Sequence, residues 1–271
     1  MTKKIFLVCL LFCGCLHRGS TEYTSEDNIV SSTLAVPVDI SDQVKEEKIE
    51  SEFHFPILLY HHIGNPPDGV GEDTKTWYVS SENFEKALQL LNNQDYHPLV
   101  FEELLDYIKR GVLPQKSFVI TFDDGAEDFY KIAFPLLQKY NMKSVMYLQS
   151  HVHSKNWLTD DQILELNASG LVEFGSHTKY HAYLTRISDE EAKKEIVESK
   201  EKIEKLLGKE VYSIAYPFGL YNENIEKMAQ DAGYKVGLTL VSGSDQNMEK
   251  LLEMKRIVIT NRTDLEKLFI K

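Results

Sequence analysis

Cysteine is absent from everything after residue 15: Cys9, Cys13 and Cys15 all sit at the N-terminal end of the 271-residue chain. A domain without cysteine forms no disulfides, so packing must supply its stability, and the length suffices for a large core. Long hydrophobic runs are also missing. The apolar stretch from Ile5 to Phe12 is too short to cross a bilayer. Positive charge is scarce, 30 Lys and Arg against 42 Asp and Glu, for a net charge of -12. That balance argues against nucleic acid or an anionic bilayer as a direct partner, because both attract cations. No internal repeat or low-complexity tract occurs.

What is present begins with MTKKIFLVCLLFCGC, two lysines, an apolar run and small residues, which reads as a secretory signal over residues 1–14. Phe12-Cys13-Gly14-Cys15 resembles a bacterial lipobox with Phe in place of the usual Leu, so Cys15 is a candidate for lipidation; a plain cleaved signal is the alternative. The expectation is export, as a cell-envelope lipoprotein or a secreted protein, touching membrane only through a lipid anchor. Residues 15–52, rich in Ser, Thr, Glu, Asp and Lys, read as a solvated tether with a frayed helix near Val44–Ile49.

From Phe53 to the C terminus, β-rich apolar runs alternate with amphipathic helical patterns, the mark of βα units around a parallel sheet or barrel. Strands are predicted at 57–60, 117–122, 144–148, 172–175, 213–216, 236–240 and 257–259, and seven runs suit barrel-like closure. Helices are predicted over 80–93, with Ser81 as N-cap, and over 101–109, 126–139, 159–167, 188–207 and 222–232.

Parallel α/β folds gather ligands at the carboxyl ends of their strands. Those ends carry His61 and His62 after ILLY, Asp123 and Asp124 after VITF, His177 after VEFGS, and Pro217-Phe218-Gly219 after SIAY. A DDG turn alone is an ordinary solvated loop, and a lone His-x-x-x-His is a common helix-surface pattern. Together they suggest more, since imidazoles four apart fall on one face of a helical turn and can grip one cation. Two imidazoles and one carboxylate leave coordination positions open for water and substrate, and they accept Zn, Fe, Co or Ni, with zinc the first expectation. Adjacent strand-end side chains point in different directions, so one aspartate can bind metal while the other faces water.

TFDDG (121–125), HTKYH (177–181) and AYPFGLYN (215–222), in this order, resemble the polysaccharide deacetylases of the NodB-homology group, carbohydrate esterase family 4. The resemblance covers residues 53–271. It implies an α/β fold, a distorted (β/α) barrel that hydrolyses N-acetyl groups of N-acetylglucosamine polymers. By motif match Asp123 would be the general base and Asp124, His177 and His181 the ligands of a divalent metal. Tyr216-Pro217-Phe218 would contact substrate, with the Phe218 N–H on the oxyanion.

Two departures stand out. Many members carry Arg two residues before the proline, where this chain has Ala215, and no histidine follows His181 to serve as general acid. ILLYHHIGN, 57–65, looks like the missing acid-bearing strand moved to the front, as in the circularly permuted, PgaB/IcaB-like branch of poly-β-1,6-N-acetylglucosamine deacetylases, which would make His61 the acid. His62 reads as a packing or capping residue. The loop 64–80 borders this site, and Trp77 or Tyr78 could stack on a sugar or anchor the loop. Arg256 could pair with a buried carboxylate as a structural residue. The expected activity is metal-dependent deacetylation of such a polysaccharide. A degenerate glycan-binding relative, or a deacylase of peptidoglycan or another acylated substrate such as a simple ester, are the rivals.

Overall fold

The structure, a computed structural model, describes residues 44–270. The expected signal peptide, Cys15 and the tether up to residue 43 lie outside the described residues. Among the described residues no helix is long and apolar enough to cross a membrane.

Seven strands form a closed parallel barrel in sequence order: β1 (Ile57–Tyr60), β2 (Ser117–Phe122), β3 (Ser144–Leu148), β4 (Val172–Ser176), β5 (Ser213–Ala215), β6 (Val236–Ser242) and β7 (Met254–Val258). Closure is made by β7 against β1, with Ile257 opposite Leu58 and Val258 opposite Leu59. The first five strands are buried along their whole length, as expected where helices cover one face of a sheet and the other faces the barrel interior.

The period of two along each strand sorts residues between two cores. Of the helices α1 (Ser81–Asn93), α2 (Phe101–Arg110), α3 (Phe134–Lys139), α4 (Asp160–Ala168), α5 (Asp189–Leu207), α6 (Glu223–Asp231) and α7 (Leu265–Phe269), all but α2 meet the outward-pointing Leu58, Tyr60, Ile120, Phe122, Met146 and Phe174, chiefly through Phe84, Leu137, Leu166, Ile196, Ala229 and Phe269, whereas α2 packs on the interior set through Phe101 and Leu104. Ile57, Val119, Val145, Ala215, Leu238 and Met254 fill the interior. The same alternation carries Val119 and Thr121 on to Asp123, and Met254 on to Arg256, so both charged side chains are delivered into the barrel.

Several sequence expectations need correction. The helix expected near Val44–Ile49 is a strand, Glu46–Lys48, antiparallel to Val112–Pro114. Its side chains are exposed and carry no β signal; the partner strand and the burial of Ile49 fix it. The N-cap of α1 is Ser80, whose hydroxyl accepts from the Asn83 N–H at 3.2 Å, while Ser81 is the first helical residue. The helix expected over 126–139 contains a π-helical turn at Phe129–Ala133 before α3. Pro135 explains it, because a proline lacks the N–H of the regular ladder and its ring crowds the carbonyl four residues back. Strand β7 begins at Met254 rather than 257, which puts Arg256 within the strand.

Candidate active site and metal centre

At the carboxyl end of the barrel, one cavity of about 260 Å³ is lined by His61, Asp123, Asp124, His177, His181 and Arg256, with Trp77, Tyr216 and Phe218 among its other walls. Four separate strand ends therefore contribute to one site. Pro217 is buried and does not line it.

The two aspartates part company through backbone conformation. Asp123 continues the inward face of β2 and is 2 % exposed, whereas Asp124 takes φ 79° and Gly125 φ 84°, so the chain turns out immediately after the strand. Aspartate tolerates this left-handed region better than most residues. Gln149, just past β3, donates to Asp124 Oδ1 at 2.7 Å and fixes that carboxylate.

Asp123 is gripped by Arg256, with Nη1 to Oδ1 at 2.8 Å and Nη2 to Oδ2 at 2.9 Å, while the Arg256 Nε donates to the Thr239 carbonyl at 3.0 Å. Burial alone would push the carboxyl up; the guanidinium and then His177 overcome it and hold Asp123 well below the usual carboxylate range. The fork uses one lone pair on each oxygen and leaves others free to accept a proton. Where the resemblance placed an arginine at the position of Ala215, Asp123 is instead paired by an arginine on β7, 133 residues away.

His177 lies at the end of β4 and donates from Nδ1 to the Ala215 carbonyl at 2.7 Å. A carbonyl can only accept, so Nδ1 carries a proton, and in the neutral ring the Nε2 lone pair is free. That atom stands 3.7 Å from Asp124 Oδ1 and 3.8 Å from Asp123 Oδ2, and His181 Nε2 stands 3.9 Å from Asp124 Oδ1. These gaps are too long for hydrogen bonds. They approach the spacing of about 3.4 Å between two ligands of a tetrahedral ion with bonds of about 2.1 Å. One donor atom each from Asp124, His177 and His181 lies within 4.8 Å of the others. Burial, and then neighbouring His177, push His181 down to about 4, so its imidazole is neutral at neutral pH, as a ligand must be. The donor set fits a divalent ion.

The two histidines do not share a helical turn, contrary to the reading of their spacing. Thr178 and His181 have φ 63° and 59°, and the segment is a loop. Local side chains compete with helix here: the Ser176 hydroxyl accepts from the Thr178 N–H and the Thr178 hydroxyl from the His181 N–H, each at 3.1 Å. Glu195 of α5, 8 % exposed, accepts from the N–H groups of Lys179 and Tyr180 at 3.0 and 2.8 Å. Sequence reasoning missed Glu195. Its signal was an acidic residue on the buried face with Ala192, Ile196 and Ile203, a face that also carries Ser199 and Lys200.

His61 packs against Trp77, ring centroids 4.3 Å apart, and His62 stacks on Tyr78 at 4.3 Å and 8°. Trp77 and Tyr78 therefore anchor the loop on the histidine pair, and Trp77 also reaches the cavity. His62 bonds Asp128 through Nδ1 at 2.7 Å, in keeping with a packing role. His61 Nδ1 is buried with no hydrogen-bond partner among the described residues. Burial lowers its pKa, and Asp123 and Asp124 pull it back up.

The 217–219 turn is strained on purpose: Phe218 has φ 59° and Gly219 φ 66°. A Cβ on Gly219 would come within 2.6 Å of the Leu240 backbone nitrogen. Tyr216 is fully buried, with its ring parallel to that of Tyr221 at 5.2 Å. Of the seven non-glycine residues with positive φ among the described residues, four (Asp124, Thr178, His181 and Phe218) lie in these loops, so strain is concentrated at the site.

Comparison with known proteins agrees with this geometry. Residues 110–237 match the family described as polysaccharide deacetylase. The deacetylase PplD of Streptococcus pyogenes, solved in complex with acetate, is 30 % identical, with a TM-score of 0.73 over 80 % of this chain and 96 % of that one. A polysaccharide deacetylase from Bacillus cereus is 31 % identical, with a TM-score of 0.72 over 81 % of this chain and 69 % of that one. The poly-β-1,6-N-acetyl-D-glucosamine N-deacetylase of Staphylococcus epidermidis is 27 % identical over 86 % of this chain and 90 % of its own.

Proposed function

The chain belongs to the polysaccharide deacetylase family, hydrolases of amide bonds, and we propose that it removes acetyl groups from an N-acetylglucosamine-containing polysaccharide, poly-β-1,6-linked in the first instance, releasing acetate. The observation that carries this reading is the convergence of Asp124, His177 and His181 at one cavity with Asp123 and His61.

Asp124, His177 and His181 would hold a divalent cation, which would supply Lewis acidity toward the water and the acetamide carbonyl. Asp123, oriented by Arg256, takes the proton from the attacking water as its oxygen bonds to the carbonyl carbon. The Phe218 N–H donates to the oxyanion that forms, a contribution of about 3 kcal/mol for a pre-aimed donor. His61 gives a proton to the departing nitrogen as the C–N bond breaks; burial lowers its pKa, which favours release of that proton, and the two carboxylates offset the lowering only in part. Acetate and a free amine result, and the proton on Asp123 restores His61.

The linkage preference rests on the S. epidermidis relative. The cavity volume of about 260 Å³ suits one acetamido sugar better than a longer segment of chain. The degenerate-binder reading drew on Ala215 and the missing C-terminal histidine; Arg256 and His61 supply both functions and weaken it. Mass analysis of products from β-1,6- and β-1,4-linked N-acetylglucosamine oligomers and peptidoglycan, with each divalent metal in turn, tests the proposal. Loss of 42 Da per acetyl group from the β-1,6 oligomer is the expected product, an increment set by acetyl-for-hydrogen exchange and counted as about one sugar at a time. Absence of turnover on every glycan overturns it. We also propose a lipid anchor at Cys15; equal detergent partitioning of wild type and Cys15→Ala removes that.

A further inference from the structure

His177 is oriented by a hydrogen bond, but among the described residues no hydrogen bond orients the ring of His181, whose side chain is 25 % exposed. The second torsion of histidine is soft, so a ligand ring without such a bond needs packing to hold its plane. The packing here is a column of flat groups. The His181 ring meets Phe218 at 4.4 Å and 62°; Phe218 stacks on Tyr183 at 3.8 Å and 3°; and the Arg186 guanidinium lies 4.6 Å over the Tyr183 ring. Phe218 fills one face of Tyr183, which leaves the guanidinium the other.

Exposed aromatics beside a glycan site invite a second interpretation, a platform for sugar stacking. Such a platform needs a free ring face. Tyr183 has none, since Phe218 and Arg186 take both. Its anchorage points the same way: the adjacent Leu184 is buried in the core, and the Arg186 N–H donates to the Tyr183 carbonyl at 2.8 Å, so the turn that carries the ring is tied down. Phe218 also belongs to the strained 217–219 turn. One column therefore braces the half-buried imidazole and that turn together.

We propose that Tyr183, clamped between Arg186 and Phe218, is a positioning residue that holds His181 in ligand geometry; this rests on the reading of Asp124, His177 and His181 as a metal site. The test is zinc affinity of chelator-stripped protein, measured by competition with a chromophoric chelator, with folding checked by circular dichroism. Tyr183→Ala weakens affinity about 10- to 100-fold, the range for losing a ligand's supporting contact, and Tyr183→Phe, which keeps the ring, restores it. Arg186→Gln gives a smaller loss in the same direction. In a His181→Gln background Tyr183→Ala has no further effect on zinc affinity, because its influence runs through that ring. Unchanged zinc affinity in Tyr183→Ala with a raised KM for glycan overturns the proposal in favour of a sugar platform, and additive losses in the double variant overturn it too. Wild-type protein that binds no zinc refutes the metal-site reading beneath it instead.

Discussion

Replacing Arg256 with Met removes the partner of a carboxylate that is itself only 2 % exposed, in a place where the arginine side chain is 0 % exposed. Breaking a buried ion pair from one side costs about 3 to 5 kcal/mol, because the surviving charge is left without solvent or partner. At about 2 to 4 °C per kcal/mol for a domain of this size, the melting temperature falls by about 6 to 20 °C at pH 7. The loss depends on pH in a defined direction. In the wild type Asp123 titrates below its ordinary 3.8, despite burial, so the pair's contribution is complete above the unfolded value and drains away as pH falls below it. Without the guanidinium, burial wins and the carboxyl moves up. The variant then recovers stability as pH falls through that raised value, and its deficit against wild type narrows between pH 7 and 5. Adding Asp123→Asn neutralises the orphan and restores much of the loss. Thermal melts of the three proteins across pH check this; a deficit under about 1 kcal/mol that is flat with pH would refute the reasoning.

Gly219→Ala forces a methyl against the Leu240 backbone at a left-handed position; a loss of about 1 to 3 kcal/mol in denaturant melts and a fall in kcat are expected, because the turn carrying Phe218 must shift. His61→Gln lowers kcat at least about 100-fold with KM little changed, read from initial rates of acetate release. Glu173, buried beneath the N-terminus of α2 and accepting from the Glu102 N–H, is pushed up to about 7 by burial. A raised carboxyl contributes stability below its unfolded value that is lost as pH rises through the folded one. Glu173→Gln should therefore flatten the decline between pH 5 and 8, by on the order of 1 to 3 kcal/mol at the alkaline end, in melts across that range.

The barrel was legible because β1 to β3 are largely apolar runs of strand length, and a strand buried on both faces leaves little else for such runs to be. Asp123, Asp124, His177 and His181 were legible from their places after those runs. The conformation joining the two histidines was not: a spacing of four is compatible with a helical turn, and the hydroxyls of Ser176 and Thr178, which divert the backbone, look in sequence like any small polar residues. Arg256 could be suspected of pairing, yet its partner lay hidden because only ring closure brings β7 across the interior to Asp123. The strand at Glu46–Lys48 had no signal of its own, since an exposed edge strand takes its conformation from the neighbour it pairs with.

The most direct measurement is titration of zinc into chelator-stripped protein while acetate release from a β-1,6-linked N-acetylglucosamine oligomer is followed. Activity should rise with occupancy to a plateau near one ion per chain, and Asp124→Ala should bind weakly and remain inactive. Full turnover by stripped protein in excess chelator, or an Asp124→Ala variant that matches wild type in both readouts, would contradict the account.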